Sequence, residues 1–121
     1  MKIAIPVKTD KENPAVAPLF GKAKWFAFIK DAKVSIKKNP AKGGQEVIRW
    51  FASNNIDTII FMEMGVTPYE VIKSLGTIKL YHAGFERILL EEILQKFNDK
   101  MLIALDDEKM AAIIEHHERK H

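Results

Sequence analysis

Hydrophobic and polar residues follow two different periods along this chain, and the change of period separates strands from helices. Short apolar or alternating runs predict five strands, at 2–7, 24–30, 33–38, 57–63 and 77–82. The run at 24–30 is apolar on both faces, which is typical of a central strand covered on both sides. The run at 33–38 places only Val34 and Ile36 on an apolar face, which predicts a half-buried strand at the sheet edge.

Apolar residues with helical spacing predict four helices, at 45–55, 65–76, 84–97 and 106–121. In the second helix, Thr67 is the predicted N-cap and Pro68 the first helical residue, while Glu70 completes a capping box. Gly76 is expected to end that helix. Asp106 is the expected cap of the last helix.

The order of these elements predicts an α/β fold with one mixed sheet. We expect the first three strands to form an antiparallel meander, whereas the later strand–helix–strand units require right-handed crossovers and parallel pairing. The predicted strand order is 3-2-1-4-5, with helices on both faces. Residues 1–97 would form the α/β domain, and 98–121 a helical, histidine-bearing extension of the same domain.

The composition suits one globular domain, with 121 residues of which 47% are hydrophobic. The longest apolar run, TIIFMEM, is too short to span a bilayer, and the N-terminus lacks the pattern of a signal peptide. The chain has no cysteine, which excludes disulfides, thiolate metal sites and a cysteine nucleophile. A cytoplasmic location is the resulting expectation.

The whole chain has a net charge of +3, and its lysines are concentrated in one third of the sequence. The cluster consists of Lys22, Lys24, Lys30, Lys33, Lys37, Lys38 and Lys42. Lysines at a sheet edge discourage pairing with other strands, and a basic patch can also bind anions or nucleic acid. No RNA-binding signature accompanies them, which favours the sheet-edge interpretation over a nucleic-acid partner.

Ligands of open α/β sheets bind beyond the carboxyl ends of the parallel strands. Three segments should meet there: 8–21, 62–67 and 82–86. Gly65 and Gly84 would allow backbone to approach a ligand closely, although both could simply serve strand-to-helix turns. The predicted helix start near Thr67 would present N–H groups that suit an anion.

Several side chains near this edge have metal-binding chemistry, each with a plainer alternative. His82 could bind a metal or carry a proton, or be an ordinary polar residue at a strand end. Met62 and Met64, which flank Glu63, could contact a soft metal, but the favoured interpretation is that they share one strand face and pack.

The sequence EHHERKH at 115–121 offers a further, weaker metal motif. His117 and His121 are four residues apart and share a helix face with Glu118. A chain terminus is expected to fray, and the spacing is not that of a zinc protease.

Common catalytic motifs are absent from the sequence. It contains no G-x-S-x-G, no P-loop and no G-x-G-x-x-G, and the first strand has no carboxylate for Mg²⁺. An enzymatic role would depend only on His82 and Glu63 sharing one edge. We therefore expect a protein that is not an enzyme.

An ordered set of segments resembles the dinitrogenase iron–molybdenum cofactor biosynthesis family over about residues 1–97. The segments are MKIAIPV, FGKAKWFAF, the NP at 39–40, DTIIF and MGVTPYEVIKSLGTIKLYHAG. The resemblance implies a ribonuclease H-like fold and a non-catalytic carrier that binds an iron–molybdenum or iron–sulfur cluster, or a precursor. It also implies partners among metallocluster-assembly proteins. The predicted ligand-binding residues are Phe20, Gly21, Lys22, Met64, Gly65, Thr67, His82 and Gly84, with His82 as the candidate metal ligand.

The chain also differs from the pattern of that family. Leu19 stands where members often carry a histidine, and a Gly- and His-rich insertion after NP is reduced to 41–44. These differences leave a second hypothesis open, namely a protein–protein adaptor of the same fold that has lost cofactor binding.

Overall fold

Five strands form one mixed sheet in the computed structural model, which describes residues 1–120. The strands are β1 (Lys2–Val7), β2 (Trp25–Lys30), β3 (Lys33–Lys38), β4 (Thr58–Phe61) and β5 (Lys79–His82). They are arranged in the order β3-β2-β1-β4-β5. β1 pairs antiparallel with β2 and parallel with β4, β2 pairs antiparallel with β3, and β4 pairs parallel with β5. The predicted order and strand directions are confirmed.

Within the described residues, four helices accompany the sheet: α1 (Gly44–Ser53), α2 (Val66–Leu75), α3 (Leu90–Asn98) and α4 (Asp107–Lys120). A short 3-10 turn covers Phe20–Lys22. Asp106 caps α4 as predicted, because its Oδ1 accepts a hydrogen bond from the Lys109 N–H at 2.8 Å. Within residues 1–120, no helix has the length and apolar character needed to cross a membrane.

Two apolar cores lie on opposite faces of the sheet, and β2 contributes to both. Phe26 and Phe28 point into the core that α1, α2 and α4 cover, whereas Ala27 and Ile29 point into the core that α3 covers. Side chains of a strand alternate between faces, so a run that is apolar at every position must be covered twice. The predicted placement of helices on both faces is confirmed.

The edge strand β3 is more exposed than expected, because the alternation of apolar and polar residues in it predicted a half-buried strand. Ile36 is half-buried, but Val34 is 47% exposed, so this strand has only weak cover on its apolar face. Its position at the sheet edge is as predicted. Lys33, Lys37 and Lys38 are exposed along it, in agreement with the sheet-edge interpretation of the lysines.

The predicted capping box of α2 is wrong. The helix begins at Val66, so Thr67 is already helical, and Gly65 in extended conformation occupies the N-cap position. Glycine is acceptable there without a capping side chain. The predicted end of the helix is confirmed, since Gly76 has a left-handed conformation with φ of 68°.

The predicted start of α3 is also wrong, because the residues before Leu90 are held by the loop after β1. The Val16 N–H donates to the Ile88 carbonyl at 2.9 Å, and the Leu90 N–H donates to the Pro14 carbonyl at 2.8 Å. The Asn13 side chain then accepts from the Glu91 N–H at 2.8 Å, as a cap supplied from another segment. The sequence has a helical pattern from residue 84, but the helix itself begins only at Leu90.

Candidate functional site

The loop after β1 returns to the sheet and brings its last residues beside the end of β4. The Glu63 N–H donates to the Pro18 carbonyl at 3.2 Å, and the Phe20 N–H donates to the Glu63 carbonyl at 3.1 Å. Leu19 therefore forms a parallel bridge with Glu63. This pairing places the 3-10 turn at the carboxyl end of the parallel strands, where the sequence predicted a site.

A cavity of about 350 Å³ opens at this position. Residues from four segments line it: Leu19, Phe20, Gly21, Lys22, Lys42, Gly43, Gly44, Glu63, Met64, Gly65, Pro68 and His117. Another concavity, of about 410 Å³, lies between the 10–13 loop, β3 and α3, away from the ends of the parallel strands. The first cavity is therefore the candidate site.

Aromatic packing fixes the floor of the cavity. Phe20 is buried, and its ring makes edge contacts with Phe26 at 5.6 Å and with Phe51 at 5.8 Å between centroids. Rings in such edge-to-face clusters stabilise one another beyond the burial of their area. The turn that follows Phe20 is thus anchored in the core.

The wall formed by residues 42–44 is held by Asn39 and by close helix packing. The Asn39 side chain donates to the Ala23 carbonyl and accepts from the Ala41 N–H, both at 2.9 Å. A methyl group on Gly44 would lie 2.8 Å from Pro68 Cγ, so only glycine allows α1 to approach α2 this closely. Because Gly44 and Gly65 both line the cavity, α1 and α2 begin beside it.

A buried carboxylate and a histidine meet at the rim. The Glu63 Oε1 atom lies 3.6 Å from Nδ1 of His117, and the Glu63 side chain is 5% exposed against 24% for His117. The imidazole lies over Gly65, where an added methyl group would be 3.6 Å from His117 Nε2. The cavity therefore has an acid–imidazole pair on one side.

Helix α4 brings His117 to the cavity through an apolar stripe. Met110 and Ile113 are buried in the same core as α1 and α2, and His117 follows them at helical spacing. At the other end of α4, Asp107 accepts a hydrogen bond from the Tyr69 hydroxyl of α2. The sequence interpretation missed this docking because it treated the end of the chain as a fraying tail. The apolar spacing of the stripe was the signal that could have revealed it. His121, the other half of the predicted histidine pair, lies outside the described residues.

The predicted site residues do not all reach the cavity. Its lining includes Phe20, Gly21, Lys22, Met64 and Gly65, but not Thr67, His82 or Gly84. The segment 82–86 instead contacts α4, because the Phe85 ring lies 4.1 Å from the His116 ring. Within the segment, Phe85 also contacts the His82 ring at 4.7 Å.

His82 is held by the backbone of the neighbouring strand end. Its Nε2 is 2.8 Å from the Met62 carbonyl oxygen, which fits a donated N–H···O bond. Burial lowers the pKa of His82 below its usual 6.5; the bond to Met62 opposes this shift, and the charge of His116 adds to it.

Met62 and Met64 do not share a strand face. Met62 packs in the core beneath α3, whereas Met64 packs in the opposite core and lines the cavity. The prediction of a common face is wrong because β4 ends at Phe61 and the chain no longer alternates as a strand beyond it. Among residues 1–120, no group of three or more histidine or acidic side chains is arranged to hold a metal ion.

Comparison with known proteins identifies the family. The family model of the dinitrogenase iron-molybdenum cofactor matches residues 1–100. A search of curated proteins found no match. Among solved structures, the chain is similar to the NMR structure of a candidate NifB protein from Thermotoga, assigned to the DUF35 family (TM-score 0.72, 23% identity, 86% of this chain and 92% of that one).

Two further solved structures have the same fold, one a crystal structure and the other a high-resolution structure. They are PH0822 (TM-score 0.73, 18% identity, 88% of this chain and 96% of that one) and the apo form of the orange protein from Desulfovibrio gigas (TM-score 0.74, 18% identity, 86% and 92%). At these identities the structures show a shared fold, and the family model carries the assignment. The chain belongs to the dinitrogenase iron-molybdenum cofactor family.

Proposed function

We propose that this protein is a non-catalytic carrier that binds a metal cluster, or a precursor of one, in the cavity beside Glu63. The observation that carries the proposal is the convergence of residues 19–22, 42–44 and 63–65 on one cavity at the carboxyl end of the parallel strands. The dinitrogenase iron-molybdenum cofactor family supports a metal cluster as the class of cargo. The proposed cargo is an iron–molybdenum or iron–sulfur cluster. Its partners would be the assembly proteins that deliver or receive this cargo, and the cytoplasm is the proposed location.

The cavity lining suits an anionic cargo. Both α1 and α2 begin at the cavity, and the N-terminal end of a helix carries partial positive charge and N–H groups without partners in the helix. Lys22 and Lys42 add two positive charges at its mouth. Clusters of metal and sulfide are commonly anionic, so these groups would attract them.

The remaining walls favour a cargo with a soft, weakly hydrated surface. Phe20, Met64 and Pro68 give the lining an apolar part, and the Met64 thioether is polarizable. The volume of about 350 Å³ is near the lower end of small-molecule sites, which span roughly 300–1,000 Å³. A compact cluster suits this space better than an extended organic cofactor.

The ligand-binding set that we propose combines predicted and newly found residues. It comprises Phe20, Gly21, Lys22, Met64 and Gly65 from the sequence prediction, with Lys42, Gly43, Gly44 and His117 added from the cavity lining. Roles for Thr67, His82 and Gly84 stay predictions, since these residues lie outside that lining.

The test is anaerobic loading of the purified protein. Protein is incubated with ferrous iron and sulfide, or with isolated iron–molybdenum cofactor, then desalted and measured for metal content and visible absorption. We expect metal to comigrate with the protein, and Lys22→Ala/Lys42→Ala to retain much less of it. Lys33→Ala/Lys37→Ala is the matched control, because it removes the same charge from the exposed edge strand β3.

Failure of the wild-type protein to retain either cluster would refute the carrier function. The adaptor hypothesis would then be tested by capture of assembly proteins. Equal retention by both double variants would refute the electrostatic part of the proposal alone.

A further inference from the structure

We infer that His117 and Glu63 form a metal-coordinating pair at the cavity, with one donor supplied by α4. This helix lies after residues 1–100, the part of the chain that the family model matches. The inference deepens the proposed function, on which its choice of cargo rests. It assigns to the end of the chain a direct role in holding the cargo.

The distance between the two donors fits a single metal ion. Metal–nitrogen and metal–oxygen bonds of about 2.0–2.2 Å at a tetrahedral angle separate two donor atoms by roughly 3.4 Å. Nδ1 of His117 and Oε1 of Glu63 are 3.6 Å apart. A metal ion between them would therefore need only a small adjustment of the side chains.

Both donors are held in place before any metal arrives. The backbone of Glu63 is fixed on both sides by its bonds to Pro18 and Phe20, and its side chain is almost fully buried. His117 is aligned by the buried residues Met110 and Ile113 of the same helix. Such preorganisation reduces the ordering that binding would otherwise require.

The number of donors defines the class of ligand. Within the described residues, histidine and acidic side chains do not assemble a metal site of three or more donors. A pair leaves two or more positions of a transition metal unfilled, and the adjoining cavity has room for the groups that fill them. The pair is therefore suited to a metal centre of the zinc, iron, cobalt or copper type that arrives with its own sulfide or water ligands.

The test uses Zn²⁺ alone, so that it does not depend on cluster loading. Zn²⁺ affinity is measured by competition with a chromophoric chelator, and the cobalt form is measured by visible absorption. All chains carry His121→Ala, so that binding reports on the described residues. We expect His117→Ala, His117→Gln and Glu63→Gln each to weaken Zn²⁺ binding at least about tenfold. His116→Ala, a neighbouring histidine whose ring contacts Phe85, should change it less than about twofold.

Each outcome is decisive. Unchanged affinity in the His117 variants, absence of Zn²⁺ binding by the parent chain, or an equal loss in His116→Ala would overturn the inference. If Glu63→Gln fails to fold, as judged by circular dichroism, the two His117 variants test the inference alone. The His117 side chain is partly exposed, so its replacement should be tolerated by the fold. Zn²⁺ binding through this pair without cluster retention would refute the carrier function and leave the metal site. Cluster retention that is unaffected by His117→Ala would support the carrier function and refute the role of His117 in holding the cluster.

Discussion

His117 contacts the buried carboxylate of Glu63, although the two residues lie in distant parts of the sequence. The contact joins the last helix to the end of the central parallel strand pair, at the mouth of the cavity. It depends on α4 being docked along its whole apolar stripe rather than fraying. The position of this helix is therefore the first property to test.

We expect Met110→Ala to destabilise the protein by about 2–5 kcal/mol, because it removes a fully buried side chain from the core shared with α1 and α2. The measurement is the free energy of unfolding in urea. Ile103→Ala is the control, since this residue is 62% exposed and its truncation should cost less than about 0.5 kcal/mol. Equal, small effects of the two substitutions would mean that α4 is not part of the core.

Gly44→Ala tests the close approach of α1 to α2. Helix propensity alone favours alanine by up to about 1 kcal/mol, but the new methyl group would lie 2.8 Å from Pro68 Cγ. We expect overpacking to prevail and the protein to lose about 1–3 kcal/mol of unfolding free energy.

Gly43→Ala is the matched control, because a methyl group there would meet nothing within 4 Å. Its cost should stay below about 1 kcal/mol, as for an alanine at an N-cap. A stabilising Gly44→Ala would show that the two helices can separate at no cost, and would contradict this account of the cavity wall.

The sheet was predictable from the sequence because each strand is marked by its own local pattern. The run of apolar residues at 25–29 is typical of a strand covered on both faces, and this places β2 inside the sheet. The remaining order follows from the handedness of crossovers and the length of connections. Local pattern and chain topology were sufficient for this level of the fold.

Helix boundaries and half of the site depend on contacts between distant segments, which no local pattern contains. The helical periodicity before Leu90 is overridden by backbone bonds to residues 13–16. His117 reaches the cavity only because α4 docks on the core to which α1 and α2 also contribute. By contrast, the position of Gly21 and Gly65 in the cavity lining could be predicted, since strand ends and glycines mark the edge of a parallel sheet.

We expect Asp107→Asn to lower the pKa of Tyr69. Burial, and then the hydrogen bond from its hydroxyl to the Asp107 carboxylate, raise this pKa from 10.0 to about 12. An amide removes the negative charge, so the tyrosine should ionise at lower pH, but above 10.0 because burial remains. The measurement is a titration of tyrosinate absorbance, with Tyr69→Phe to assign the signal. An unchanged pKa in Asp107→Asn would show that the α2–α4 junction is open in solution.

The histidine at the end of β5 should make the protein less stable in acid. Burial lowers the folded-state pKa of His82 below its usual 6.5, so the unfolded chain binds the proton more readily than the folded one. Its contribution to stability is therefore complete above pH 6.5 and is lost as the pH falls through 6.5 toward the folded-state pKa.

His82→Gln removes this titration, and the amide can still donate to the Met62 carbonyl that Nε2 now contacts. We expect the variant to lose less unfolding free energy than wild type between about pH 7 and pH 5, as measured by urea unfolding at each pH. NMR titration of the His82 ring should give a pKa below 6.5. A pKa above 6.5, or equal acid sensitivity of variant and wild type, would contradict the burial of this imidazole between Met62 and Phe85.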